Sequence, residues 1–488
     1  MQFPLTACPG LFYNTLAQDG FLCRLRIPGG MINSQQFEAI ADISDHYGGG
    51  YIDITNRANI QIREIKQGIN IQVLEKLQAL GLASTNASVD HIRNIMTSPT
   101  AGIDTQELID TRPLVKAWEK YITAHSHLSQ LSAKFSVCFD GGGKISLKDR
   151  PNDIILAAEL INSNIHWRLY LSYGEKGEPA KDTGILLKPV ETIAVLAALA
   201  ETYLKHIDIN NRCKPRLREI INHITIEKYL HQVKEELEPN TFNFEFNLEK
   251  PSLCVSASLR EENLIGIHSQ KQSGLYYIGI VLPLGRLETY QIRGLANLAK
   301  RYGDDNIRLT PWQNLILSDI PQNQIIEVEK EITNLDLNYS PTDIKSFLVA
   351  CSGKRGCAAA ATETKDDALD LAKYLENLMI LDCSVNIHFS GCSKSCAQHT
   401  QADITLLGVA GGNFPGYQIY VLGHLLYEYV TLAKVPMIIQ QILAVYQQQR
   451  LSLQESFSQF IDRQKHQLNQ LFSKSSPNST VTILKYHV

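Results

Sequence analysis

No stretch of the 488 residues is both apolar and long enough to span a bilayer, since the longest runs, 192–200 and 435–446, are short or broken by glutamine. The N-terminal MQFPLTACPGLFYN has neither the basic nor the apolar segment of a signal peptide, so a cytoplasmic protein without membrane contact is expected. Excess positive charge is also missing. Lys plus Arg number 46 against 50 Asp plus Glu, a net charge of -4, which excludes a nucleic-acid footprint and leaves any anion binding to local basic clusters. HExxH and GxSxG do not occur, and the runs at Gly48 to Gly50 and Gly141 to Gly143 lack the spacing of a phosphate loop and read as turns. Cysteine is sparse. Ten are scattered over the chain without the dense, regular pattern of a disulfide scaffold, which points to a reducing compartment. With 44% hydrophobic and 20% charged residues, the chain is long enough for two to four domains.

Four of the cysteines stand apart. Cys351 and Cys357 in CSGKRGC enclose five residues, Cys392 and Cys396 in GCSKSC enclose three, and 34 separate the pairs. Four soft thiolates are what a 4Fe-4S cluster requires. Structural zinc is the nearest rival, but its pairs are commonly two to four residues apart and often include histidine. The plain alternative is four unrelated core thiols, since cysteine is among the most buried residue types. Gly356 and Gly391 each precede a proposed ligand and would let backbone approach a cluster. The segment after Cys357, AAAATETKDDALDLAKYLENL, has helical periodicity, which would put Cys357 at a helix N-terminus where the dipole favours thiolate.

The chain also repeats itself. Residues 21–65 match 276–320 without a gap, with Pro28 on Pro283, Gly30 on Gly285, Tyr47 on Tyr302, Thr55 on Thr310 and Asn59 on Asn314. Each copy reads as a strand, a Pro/Gly turn, an amphipathic helix (SQQFEAIADISDHY; TYQIRGLANLAKRY) and a second strand (YIDIT; NIRLT). So long a period signifies two pseudo-symmetric halves and not a solenoid. Extending the repeat would bring Lys134-Phe135-Ser136 near His388-Phe389-Ser390. Further strands (FSVCFDG, HWRLYLSYG, SVNIHFSG, ADITLLGV, YQIYVLG) suggest mixed α/β layers, followed by amphipathic helices over 437–472 and a polar tail, SKSSPNST.

Basic residues sit at the ends of these elements: Arg57 and Arg63 in TNRANIQIR, Arg93 in HIRN and Lys134 in AKFS. If the segment from Asn59 is a strand, the even spacing of Arg57 and Arg63 allows both to share a face. Several such cations together would hold a polycarboxylate, whereas most arginines are simply solvated surface charges.

The duplicated half-module, TNRANIQIR with LTPWQNLIL, and the Cys-x5-Cys plus Cys-x3-Cys set together resemble the sirohaem and 4Fe-4S nitrite/sulfite reductase superfamily over nearly the whole chain. The resemblance implies an α+β fold with pseudo-two-fold symmetry: duplicated ferredoxin-like half-modules over 1–80 and 251–335, and two mixed α/β reductase-like domains over 81–250 and 336–488, the last with the cluster and C-terminal helices. It implies that Cys351, Cys357, Cys392 and Cys396 are cluster ligands and that Arg57, Arg93 and Lys134 bind anionic groups. Within the superfamily, TACPGLF, AQDGFLCRLRIPGG, NIMTSPTAGID and KFSVCFDGGG look like precorrin-3B synthases. That branch implies a monooxygenase of cobalamin biosynthesis that takes precorrin-3A and dioxygen, hydroxylates a meso carbon and closes a γ-lactone. Electrons would come ultimately from NADH, through a ferredoxin or an NADH-dependent reductase. A mononuclear non-haem iron is associated with it, and His268, His388 and His399 are its candidate ligands. The alternative is a ferredoxin-dependent sirohaem nitrite or sulfite reductase. Ser136, where sulfite reductases carry a second lysine, weighs against it. A third reading is a non-catalytic tetrapyrrole carrier or electron-transfer protein.

Overall fold

The computed structural model describes residues 9–473 other than 14, 212, 238–263, 377, 381, 383, 412 and 413. The expected boundary near 250, Cys8, Cys254, Cys383, the first residues of the TACPGLF motif and the polar tail beyond Ser473 lie outside the described residues. The chain forms two compact units. The first comprises Met1–Leu16, Gly20–Ile280 and Leu287–Leu337, and the second Ala17–Asp19, Val281–Arg286 and Asn338–Val488.

In the first unit the repeated sequence folds twice. Helix Ser34–Tyr47 opens with a capping box, in which Gln36 N–H donates to Asn33 Oδ1 (2.8 Å) and Asn33 N–H to Gln36 Oε1 (2.9 Å). Its counterpart Thr289–Tyr302 begins at Glu288, whose N–H donates to Gln291 Oε1. Phe37, Ile40, Ile43, Ile292, Leu295 and Leu298 recur at helical spacing and are buried, the face of an amphipathic helix turned to a core. The two helices pack on each other, and Arg293 reaches Asp42 (2.8 Å) and Asp45 (2.9 Å).

Each helix lies with a five-stranded sheet, and the copies exchange an edge. Strand Met31–Asn33 of the first copy pairs antiparallel with Asn306–Leu309 of the second. The reciprocal strand Arg286–Glu288, whose last two residues belong to this unit, edges the sheet of Gly20–Leu25, Ile60–Ile65 and Tyr51–Ile54. The turn before Met31–Asn33 makes the exchange possible: Gly30 has φ +71°, and a Cβ there would stand 2.8 Å from the Leu309 carbonyl oxygen. Only glycine fits both demands.

The remaining sheet of this unit is mixed. Strands Ile95–Thr97, Val137–Asp140 and Ile154–Ile161 run parallel, and Asn164–Leu171 and Lys181–Leu187 continue antiparallel. Helices Arg112–Ala124 and Thr192–Lys205 share with it a core containing Trp118, Phe139, Trp167 and Tyr203. The second unit repeats this topology with Leu348–Ala350, Ile387–Ser390, Ile404–Gly411, Phe414–Val421 and His424–Thr431. Its core contains Leu371, Phe389, Tyr417 and Tyr446, with contributions from helices Thr364–Glu376 and Val435–Gln449. Among the described residues no helix is long and apolar enough to cross a membrane.

The register corrects one expectation. Val137 pairs with Ile154 as Ile387 pairs with Ile404, so the residue equivalent to His388 is Cys138, and Lys134 falls opposite Ser384. The 255-residue spacing of the ferredoxin-like copies does not carry into these sheets, because the segments joining their first two strands differ in length.

Candidate functional site

In the second unit the cysteines sit on two loops at the end of parallel strands. Cys351 follows Leu348–Ala350, and its N–H donates to the Phe389 carbonyl (3.2 Å), so it stays beside the neighbouring strand. Its Sγ accepts the Gly391 N–H (3.3 Å) and lies 3.5 Å from Thr364 Oγ1. Thr364 Oγ1 in turn donates to the Cys351 carbonyl (2.8 Å). The second loop is held by Ser390 Oγ, which donates to the Cys392 carbonyl (2.7 Å). The loops also bind each other, since Ala361 N–H donates to the Gly391 carbonyl (2.8 Å). Gly391 is required there, because a Cβ would meet Ala360 at 2.5 Å.

Burial, then the neighbouring Cys392, Cys351 and Cys357, push the Cys396 thiol above its usual range, while Lys394 pulls it down. None of the four is in a disulfide, and none is fully buried. Cys23, by contrast, is sealed in the core of the first unit with its thiol pushed up to about 12 by burial, and is inert. Among the described residues no group of three His, Cys, Asp or Glu side chains converges to hold a single metal ion. A mononuclear site needs its ligands on one ion, whereas a cluster gives each thiolate its own iron. The residues that would hold a cluster are Cys351, Cys357, Cys392 and Cys396.

The expected helix start at Cys357 is displaced. The helix begins at Thr364, and Cys357 is extended (φ -148°) at the end of the one-turn helix Gly353–Gly356. Backbone bonds from Ala360 to the Cys357 carbonyl and from Lys354 to the Thr362 carbonyl fold the intervening residues into a loop, which outweighs their helical propensity.

The basic residues of the first unit are not equivalent. Arg57 lies in the turn before strand Ile60–Ile65, so the even-spacing argument applies to Arg63 alone. The Arg57 guanidinium donates to Asn152 Oδ1 (2.9 Å) and to the Pro151 carbonyl. Arg63 is buried within its strand. Arg93 is 2% exposed and bonded to two carboxylates, Asp90 (3.0 Å) and Glu119 (2.8 Å through Nε). Burial opposes its charge, but those carboxylates outweigh burial and hold the guanidinium above its ordinary value. Lys134 is exposed in the turn before Val137–Asp140 and forms no ion pair among the described residues. Ser136 is buried, and its N–H and Oγ donate to Asp153 Oδ2 (3.1 and 3.2 Å), whose other oxygen accepts from Arg216 (2.8 Å).

The candidate iron ligands do not assemble. His268 stacks on Tyr277 at 4.9 Å and its Nε2 lies 2.9 Å from the Ile265 carbonyl, a structural role. His388 is 2% exposed with Nε2 unpartnered, and burial, then His399, lower its pKa to about 4. Sequence reasoning passed over Thr364, Asp153 and Arg216. A lone threonine at a helix start carries no sign that it faces a sulfur 13 residues back, and the Asp153–Arg216 pair is distant in sequence.

Comparison with known proteins gives the site its setting. Residues 15–80 and 268–335 match the nitrite/sulfite reductase ferredoxin-like half domain, and 88–240 match the nitrite and sulphite reductase 4Fe-4S domain. That second match falls on the copy without the four cysteines. A ferredoxin–nitrite reductase of Synechococcus elongatus is 32% identical over 86% of this chain and 83% of its own length. A chloroplastic ferredoxin–nitrite reductase of Zea mays is 30% identical over 82% of this chain and 71% of its own. The Mycobacterium tuberculosis NirA structure superposes with a TM-score of 0.74 over 92% of this chain and 84% of its own, at 22% identity, and so shows the fold. These relatives overturn the precorrin-3B synthase reading: the short motifs that suggested a monooxygenase are outweighed by similarity over 82 to 86% of the chain to reductases of another name. Precorrin-3A, dioxygen, NADH and a non-haem iron lose their support with it. The chain is an oxidoreductase with duplicated ferredoxin-like halves, and it belongs to the nitrite/sulfite reductase superfamily.

Proposed function

We propose that this chain is a ferredoxin-dependent nitrite reductase. The observation that carries the reading is the 32% identity to a ferredoxin–nitrite reductase across 86% of the chain and 83% of that enzyme. The Cys-x5-Cys and Cys-x3-Cys pairs support it, since nitrite reduction to ammonium consumes six electrons and eight protons and needs a one-electron centre to deliver them in turn. In this reading Cys351, Cys357, Cys392 and Cys396 hold a 4Fe-4S cluster, and a bound sirohaem would supply the iron at which nitrite is reduced. Lys134, exposed and without an ion pair, offers a cation to an acidic side chain of the tetrapyrrole. Arg57, whose guanidinium donates to Asn152 Oδ1 and the Pro151 carbonyl, offers a second. Arg63 and Arg93 are buried, and Arg93 ties Asp90 to Glu119, so neither is offered as a ligand-binding cation.

The test is anaerobic purification with an absorption spectrum, iron and acid-labile sulfide assays, pigment extraction, and nitrite-dependent oxidation of reduced ferredoxin. Sirohaem in a one-to-one ratio with chain, together with ammonium formation, is the expected result. A cluster without extractable sirohaem and without nitrite turnover overturns the proposal.

A further inference from the structure

A pocket of about 220 Å³ opens in the first unit, away from the cysteine loops in sequence and enclosed by residues of that unit alone. Its wall is largely apolar, with Ile27, Met31, Leu82 and Val115 contributing. Its charged lining is Arg26, Arg93, Arg112 and Lys116 against the single carboxylate of Glu119.

Most of that charge is already answered. Arg93 is bonded to Asp90 and Glu119, and Arg112 to Asp110 at 2.7 Å. Two cations are left over. Lys116 is exposed and has no ion pair among the described residues. Arg26 is the more demanding case. It is 1% exposed, its Nε donates to Asn94 Oδ1 (3.1 Å), its Nη2 reaches the Pro9 carbonyl (3.4 Å), and its Nη1 has no partner. A buried guanidinium with only neutral partners and a vacant donor is costly, and an anion in the space it lines would relieve that cost.

The volume limits what that anion is. A dry cavity of about 150 Å³ admits benzene, and sites for drug-sized molecules begin near about 300 Å³. An inorganic oxyanion would leave the apolar wall uncovered, and the one buried vacant donor, Arg26 Nη1, calls for one carboxylate. We propose that this pocket binds a small organic monocarboxylate with an apolar body of about benzoate size, whose carboxylate accepts from Arg26 and whose body lies on Met31, Leu82 and Val115. The site does not depend on which nitrogen or sulfur oxyanion the enzyme reduces.

Isothermal titration calorimetry of the full chain with benzoate, its neutral isostere benzamide, and inorganic phosphate tests this. Benzoate should bind at least about tenfold more tightly than benzamide, the worth of one charge-assisted hydrogen bond, and more tightly than phosphate. Arg26→Met should weaken benzoate about tenfold, and Val115→Phe, which fills the pocket and keeps Arg26, by a similar factor. Equal affinity for benzoate and benzamide, tighter binding of phosphate, or no binding of benzoate at about 10 mM overturns the proposal, as does unchanged binding in Val115→Phe. Should Arg26→Met fail to fold by circular dichroism, the benzamide comparison and Val115→Phe decide.

Discussion

The two mixed sheets are the same construction with differently furnished loops. Counting from the paired strands, Ser98 to Asp104 of the first stand where Cys351 to Cys357 stand in the second, and Asp140 to Ser146 where Ser390 to Cys396 stand. In the first, these loops close on themselves. Thr100 Oγ1 donates to Asp104 (3.1 Å), Ser146 Oγ and Leu147 N–H to Asp140 (2.7 and 2.8 Å), and the Asp104 carboxylate lies so close to Gly143 that a Cβ there would meet it at 2.5 Å. In the second, partly exposed thiols take the corresponding places. One copy satisfies its own polar groups, and the other presents soft donors. Under the proposed function, duplication supplies a finished scaffold and chemistry is loaded onto one set of loops without changing a strand.

The sharpest way to break this contrast is substitution at matched positions. Cys396→Ser should cost at least about 100-fold in nitrite reduction and most of the iron and sulfide, whereas Ser146→Ala in the first copy should leave both intact. Iron retained in Cys396→Ser would refute the asymmetry. Removing iron with a chelator should next lower protection in only one unit. Hydrogen exchange should open backbone amides around 351–357 and 391–396 by about 3 kcal/mol or more and leave 98–104 unchanged.

Acid should strike both units, through different histidines. His91 in the first is lowered to about 4 by burial, then Arg26, and His388 in the second to about 4 by burial, then His399. With an ordinary value of 6.5 when unfolded, each histidine takes its proton first in the unfolded chain, so stability is unaffected above about pH 6.5 and falls as pH drops toward 4. The loss is at most about 3 kcal/mol per histidine. Urea melts across that range should show it, and His91→Asn should flatten the response of the first unit alone; an unaltered slope would dismiss the assignment.

Smaller effects refine the comparison. Asp140→Asn should destabilise the first unit by about 1 to 3 kcal/mol in denaturant titration with iron content unchanged. Between the ferredoxin-like copies, Asn33→Ala should cost about 1 kcal/mol and Glu288→Ala a few tenths, because asparagine is the better N-cap. Equal costs in thermal melts would show that tertiary packing, not capping, fixes the two starts.

Much of this was legible beforehand where local signals agree. The helices Ser34–Tyr47 and Thr289–Tyr302 coincide with the segments read from periodicity and closed by Tyr-Gly. Three-residue strands carry no periodicity, so the exchange of Met31–Asn33 and Arg286–Glu288 had no sequence sign. Burial is equally silent: nothing in HIRN distinguishes a solvated arginine from one bonded to Asp90 and Glu119. The functional reading failed for another reason. A few short motifs were given more weight than similarity spread over hundreds of positions, and Ser136, taken as a missing charge in the pocket, is engaged with Asp153.

The exchanged edge strands also set an order of events. While the chain is being synthesised, the sheet built on Gly20–Leu25 and Ile60–Ile65 lacks its last strand until Glu288 has emerged, and Met31–Asn33 has no partner until Asn306–Leu309 follows. An unpaired edge held open for that long is an invitation to pair with the wrong chain. Closure across so many residues is also slow. The nascent first half should therefore depend on chaperones for most of its synthesis, and a ribosome-stalled chain ending before the second copy should be the most aggregation-prone species this protein passes through.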